Sequence, residues 1–474
     1  MLAAGLVFVL LSAWSVFQLA GAVDPRAAAV LGTLGSWWFG APWPLHLGGS
    51  VAFGLGAAVA LRRSGWARDL VAPTQAPARH WTLGFGVLLV GILVHVAQLQ
   101  ADEWVNLASR RTDFGMFVEA SRAWRAGEDA YRAVDGGYFY PPVFAVLITP
   151  LTLLPMGVAS TVWLVAKLIL IVDAVRRLRE AFAHALPTPG ARQLFGFVVL
   201  AVTARFWLAD LAYGNTNVLM TWLGIVALTS LRARPARAGI ALAAGTLIKV
   251  VPAVLAVPAV VLDRRRTLVV ASATVLVASL LPLLNGVGHG IDTWNAYVEW
   301  GVRAKLGASL GQVDNQSIRG ACERWLDQAP VVARALWALL SSAVVVGAAV
   351  VTWRVRGSRA EMFALALWPG VLLAVSPGSW VVHFVGGMLP AAALTARLIA
   401  TGWRDRRLVA VFVLLNLAWT ISGWFPFSVK WSTHQSWFLI GLLVLLTAVA
   451  REAWRQADVG VPAAGRAREP RARH

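Results

Sequence analysis

Residues 331–352 read VVARALWALLSSAVVVGAAVVT, with Arg334 as the only charge. At ~1.5 Å of rise per residue, a helix of this length matches the roughly 30 Å hydrocarbon core of a bilayer. Comparable apolar runs occupy 3–22, 44–61, 82–100, 143–172, 193–209, 216–231, 267–284, 361–376, 379–400, 408–424 and 434–450. Together they predict about twelve spans. Composition agrees, because the 474 residues are 58% hydrophobic and 14% charged with a mean hydropathy of +0.66, whereas soluble domains carry charge on roughly a quarter of their residues. An ordinary soluble domain, a disordered chain and a coiled coil are thereby excluded. A disulfide scaffold is excluded as well, since Cys322 is the single cysteine. The predicted fold class is an all-α, polytopic transmembrane helical bundle.

The formal net charge is +19, but the arginines stand in short clusters between apolar runs and form no compact basic domain. Nucleic acid is therefore not an expected partner; the lipid bilayer is. The clusters are Arg62/Arg63/Arg68, Arg176/Arg177/Arg179, Arg232/Arg234/Arg237, Arg264 to Arg266, Arg354/Arg356/Arg359, Arg404/Arg406/Arg407 and the tail from Arg451 onward. If the spans alternate, all of them fall on one side, which the positive-inside rule makes cytoplasmic, with both termini inside a plasma or inner membrane. Residues 238–262 lie between two such clusters and must cross an even number of times, so a short hairpin broken near Lys249 and Pro252 is expected. Two long segments, 101–142 and 285–330, fall outside. The organisation predicted is a helix pair over 1–80, a main transmembrane domain over 81–450 and a basic, disordered cytoplasmic tail over 451–474.

Chemistry must then come from the outer segments and the span ends. In RRTDFGMFVEASRAWRAG, Phe114, Phe117, Val118 and Trp124 recur near helical spacing. Thr112 or Asp113 is placed to cap the helix and Gly127 to end it, which predicts an amphipathic helix on the outer leaflet. Asp113 is either that cap or a general base at the lipid boundary, with Arg110 and Arg111 near enough to attract phosphate. Tyr140-Pro141-Pro142 sets the chain's path into the next span. Lys249, in GTLIKVVP, stands beside the predicted helix break, either snorkelling or holding an anion. His383, in SPGSWVVHF, is a packing residue or a polar ligand. VDNQSIRG brings Asn315, Ser317 and Arg319 together in what is on its face a polar turn, and GNTN at 214–217 is an ordinary turn signal. His95, Lys167 and Arg205 receive no role. The chain has no P-loop, HExxH, CxxC or GxSxG motif. Carboxylates reach only span ends, which argues against ion-coupled transport.

Taken together, DFGMFVEASRAWRAGEDAY, YPPVFAVLITPLTLLP, GNTNVLMTWLGIVAL, AGIALAAGTLIKVVP, NQSIRG and SPGSWVVHF resemble, in order, the GT-C type polytopic membrane glycosyltransferases, and among them glycosyltransferase family 87. The resemblance implies transfer of a sugar, mannose or arabinofuranose, from a polyprenyl-phosphate donor to an envelope lipid or glycan acceptor on the outer face. Inversion is implied, with Asp113 as general base. It also implies a substrate-binding set of Tyr140, Asn217, Lys249, Asn315, Arg319, Trp380 and His383, and no cofactor or metal, although Asp102, Glu103 and Asp113 are the residues that would share a cation. GNTN stands where the family pattern has glutamine after the glycine, so Asn215 receives no role, and residues 1–80 precede the family's usual first span. The competing readings are a lipid-linked-saccharide flippase or permease and a non-catalytic membrane scaffold.

Overall fold

The computed structural model describes residues 112–134, 137–303, 310–420 and 436–459, and among them every regular element is helical. The expected spans at 3–22, 44–61 and 82–100, the residues Arg110, Arg111, Asp102 and Glu103, and the tail beyond Val459 lie outside the described residues.

Helix α1, Asp113–Ala126, begins at Thr112, whose hydroxyl accepts from the Gly115 N–H at 3.3 Å, and ends at Gly127 in the left-handed conformation (φ 78°). Its apolar face is buried: Phe117 meets the rings of Tyr140 (4.8 Å) and Phe144 (5.0 Å). The helix packs on α2, Pro142–Ile148, and on the 3-10 turn Thr149–Leu153 that follows it. The expected stretch 143–172 is thus divided at Pro155, where α3, Met156–Ala181, starts. α4 (Pro189–Tyr213) and α5 (Asn217–Ser230) follow, joined by Gly214-Asn215-Thr216.

The predicted hairpin is present. α6, Pro235–Ile248, ends at Lys249, whose backbone is extended, and the chain returns as a 3-10 turn, Val251–Ala256, and α7, Val257–Val261. Pro252 and Pro258 each lack an amide proton, so a continuous helix cannot form across this stretch. α8, Arg265–Ala278, is extended by a turn to Asn285. The second long segment expected outside, 285–330, contains α9, Val287–Ala296, a π-helical turn Tyr297–Arg303, and α10, Ile318–Trp325. It meets the first where Asn285 Nδ2 donates at 2.5 Å to the Trp124 carbonyl, which also accepts from the Gly127 N–H at 3.1 Å. α11 (Pro330–Arg354), α12 (Glu361–Leu365), α13 (Leu367–Val375), the 3-10 turn Val381–Gly387 leading into α14 (Met388–Ala400), α15 (Arg406–Thr420) and α16 (Trp437–Val459) complete the bundle. α16 continues past Arg451 into the segment expected to be tail.

Among the described residues six helices are long and apolar enough to cross a membrane, so the count of about twelve is not confirmed. Three of the expected spans lie outside the described residues, 216–231 and 361–376 form apolar helices too short to be counted, and the helix of 408–424 is described only as far as Thr420. The arginine clusters among the described residues nevertheless gather at one end. Arg264 pairs with Glu361 (3.1 Å), Arg397 with Glu452 (2.6 Å), and Phe182 meets Phe363 (ring centroids 5.3 Å). Lys249, the Gly214–Asn217 turn and the start of α1 lie together at the other.

Candidate functional site

Four chain segments converge at that second end, and the Gly214–Asn217 turn holds them in register. Gly214 adopts φ 66°, and a Cβ placed there would stand 2.7 Å from the Phe114 Cβ. Only glycine lets the start of α1 approach this closely. Trp163 Nε1 donates to the Gly214 carbonyl at 2.9 Å. The Asn215 side-chain amide donates to Asp113 Oδ2, while its Oδ1 accepts from the Asn217 side chain at 2.9 Å and from the Thr216 N–H at 2.6 Å. The Tyr140 hydroxyl donates to the same Oδ1 at 3.4 Å.

Because Thr112 is the cap, Asp113 is released from that duty and offers its carboxylate to the site. Burial raises its pKa above the ordinary carboxylate range, with the Asn215 amide and the Lys249 charge pulling the other way. A half-buried carboxylate with a raised pKa is a stronger base than a solvated one. Burial likewise raises the Tyr140 pKa, the nearby Asp113 charge adding to it, so Tyr140 stays a neutral hydroxyl.

Lys249 Nζ donates to Asn217 Oδ1 at 2.9 Å, lies 3.3 Å from His383 Nε2, and stands over the Tyr140 ring at 5.2 Å. His383 Nδ1 accepts from the Trp380 N–H at 2.9 Å. A backbone N–H can only donate, so Nδ1 carries no proton and Nε2 of the imidazole does. The lysine ammonium and the His383 Nε2–H are then two donors side by side that cannot satisfy one another. Their geometry suits an acceptor with several oxygens placed between them, such as a phosphate. The Trp380 ring packs on the His383 ring at 5.3 Å.

Of the residues expected from sequence, Asp113, Tyr140, Asn217, Lys249, His383 and Trp380 are thus brought together. Asn315 and Arg319 occupy a neighbouring clamp. Asn315 is fully buried: Nδ2 donates to the carbonyls of Leu310 (2.9 Å) and Pro377 (3.0 Å), and Oδ1 accepts from the amides of Ser317 (3.1 Å) and Ser379 (2.9 Å). It fixes the turn that precedes Trp380. Arg319 pairs with Glu323 at 2.6 Å and stacks over Trp337 at 5.2 Å. Two features are not read from sequence. One is Asn215, which carries Asp113; the other is the Lys167–Asp210 ion pair beneath the turn, 3.1 Å apart at 1% and 0% exposure. A lysine in mid-span and an aspartate at the end of the following span are opposite charges in a membrane, and that is the signal that would have paired them. Among the described residues no three His, Cys, Asp or Glu side chains are grouped to hold a metal ion.

The sequence profile of glycosyltransferase family 87 matches residues 138–377. A polyprenol-phosphate-mannose-dependent alpha-(1-2)-phosphatidylinositol mannoside mannosyltransferase of Mycobacterium tuberculosis is 30% identical, over 67% of this chain and 76% of the relative. A polyprenol-phosphate-mannose-dependent alpha-(1-2)-phosphatidylinositol pentamannoside mannosyltransferase of Mycolicibacterium smegmatis is 26% identical, over 81% and 94%. No solved structure matches significantly.

The close approach at Gly214 has a measurable consequence. Gly127→Ala places a side chain at a left-handed position with nothing within 4 Å and is expected to cost about 1 kcal/mol. Gly214→Ala adds a clash with Phe114, so at least about 1 kcal/mol more is expected. Thermal unfolding of the two purified variants compares them, and equal losses would mean that α1 does not rest on the turn.

Proposed function

Since the chain belongs to glycosyltransferase family 87, we propose that it moves mannose from a polyprenyl-phosphate donor to a hydroxyl of an envelope lipid or glycan at the outer face, with inversion. The names of its relatives make a phosphatidylinositol mannoside the acceptor to try first. The observation that carries the reading is a raised-pKa carboxylate, Asp113, joined through Asn215 and Asn217 to the Lys249–His383 donor pair.

Asp113 takes the proton of the acceptor hydroxyl as its oxygen attacks the anomeric carbon. The bond from that carbon to the phosphate oxygen breaks, its electron pair stays on the phosphate, and polyprenyl phosphate leaves. Lys249 and His383 Nε2–H meet the charge that grows on that oxygen, which is where fixed donors lower a barrier most. Phosphate is a good leaving group, so the step proposed uses protein cations and no metal. Tyr140 and Trp380 supply ring surface around the cation and the imidazole. The arginine-rich end faces the cytoplasm and the site end faces outward.

Asp113→Asn is expected to cut turnover by on the order of 100-fold or more, because an amide cannot take the acceptor proton. Thr112 still caps α1 and the sugar donor still binds, so its affinity stays within a few-fold. In the native protein the base works deprotonated, so the rate climbs as pH rises through the Asp113 pKa, at a midpoint above the usual ~4. Rate and donor affinity measured on one preparation across pH decide this. Transfer that survives within a few-fold removes Asp113 from the chemistry.

Lys249→Met is expected to weaken binding of the polyprenyl-phosphate sugar by about tenfold or more, the worth of a charge-assisted hydrogen bond. Titration of the purified variant with the sugar donor reads it, and unchanged affinity would leave Lys249 as a snorkelling residue.

Topology is tested in a Cys322→Ala background, since Cys322 is itself buried. An impermeant maleimide should label the exposed position of Gln328→Cys in sealed cells, and that of Arg266→Cys only after the membrane is opened. The reverse pattern would invert the orientation.

A further inference from the structure

The proposed chemistry leaves unused the most deeply buried charges near the site. Lys167 Nζ donates to Asp210 Oδ1 (3.1 Å), but also to the backbone carbonyls of Asp210 (2.8 Å) and Asn215 (3.2 Å). Asp210 Oδ2 accepts from the Asn217 N–H at 2.9 Å, and the Asp210 carbonyl accepts from the Asn215 N–H at 3.2 Å. An ion pair whose only task was to join α3 to α4 would need none of the bonds to the turn. Here the carbonyl of Asn215 and the amide of Asn217 are both pinned by the pair. Those are the two residues whose side chains reach Asp113 and Lys249.

We propose that Lys167 and Asp210 are positioning residues for transfer: a fixed pair of buried charges that sets the Gly214–Asn217 turn, so that Asn215 presents to Asp113 and Asn217 to Lys249 in one register. The pair touches neither substrate. It works through the backbone, and it is rigid because neither charge has another place to go inside the membrane. The inference rests on the transferase reading above.

Charges and hydroxyls facing Asp113 are Lys249, Lys167, Asp210 and Tyr140, with Asn215 in direct contact. Lys167 favours the ionised carboxylate and Asp210 opposes it, so as a pair they act on the base in opposite directions. Singly removed, they should move it in opposite directions. The rate of mannose transfer from polyprenyl-phosphate-mannose is measured across pH for the full-length wild type, Lys167→Met, Asp210→Asn and the double variant. The acid limb is expected to rise by roughly 0.3 pH unit or more in Lys167→Met and to fall by as much in Asp210→Asn. In the double variant, which buries no unpaired charge, the limb should return to the wild-type position while the plateau rate stays about tenfold or more down, through misalignment of the turn. The double variant keeps the test open if a single variant fails to fold. A double-variant plateau within about twofold of wild type, or folded single variants with unmoved limbs, would overturn the positioning role. A wild type that transfers no mannose would overturn the transferase reading itself, and an active wild type beside an indifferent double variant overturns only this inference.

Discussion

Lys167 and Asp210 are buried to 1% and 0% exposure, 3.1 Å apart, in a part of the molecule that belongs to the membrane. Each charge taken from water costs several kcal/mol even after relaxation, and their attraction offsets that only when the remaining donors and acceptors are also filled. Lys167 has three ammonium protons and finds three oxygens; Asp210 finds the ammonium and a backbone amide. Saturation of the pair therefore dictates the backbone of the turn above it. The turn dictates where Asn215 and Asn217 point, and these two side chains divide the site between a carboxylate on one side and a cation on the other. Gly214 completes the dependence, because the start of α1 docks only where no Cβ intervenes.

Burial sorts the helices by task. Of the apolar stretches of α8 and α11 only 17% and 11% is buried, whereas of those of α4 and the Val381–Ala400 segment 72% and 83% is buried. The peripheral helices present apolar side chains outward and contribute little polar chemistry. Both inner segments carry residues of the candidate site or its support at the end remote from the described arginine clusters: Asp210 lies near the end of α4, Asn215 follows it, and Trp380 and His383 introduce α14. Side chains on well-packed helix ends lose less precision to thermal motion than side chains on free loops.

Much of this was legible from local signals. Caps and breaks act over three or four residues, so Thr112, Gly127, Pro155 and the Lys249–Pro252 break could be read where they stand. The arginine clusters ordered the spans because charge asymmetry acts along the chain. Pairings between helices have no such local signature. Asn215 looked like a turn residue until α1 was seen to bring Asp113 onto it, and Lys167 and Asp210 are 43 positions apart. Asn315 and Arg319 read on their face as a polar turn and by resemblance as substrate-binding residues; the structure bonds Asn315 to the turn before Trp380 and pairs Arg319 with Glu323. The distinction between binding and holding is one of three-dimensional partners.

A carboxylate and a lysine brought near one another at the edge of a membrane would ordinarily neutralise one another, either by proton transfer or as a salt bridge. Here two asparagines stand between them. Asn215 turns its amide toward Asp113, while the carbonyl oxygen of Asn217 faces Lys249. Asparagine side chains are polar enough to solvate both charges and do not titrate, so each group keeps its state and its distance. An aspartate in place of either would add a second negative charge beside Asp113 and pull Lys249 away from His383. The amide relay Asp113–Asn215–Asn217–Lys249 is thus what holds the proposed base and the proposed anion seat apart.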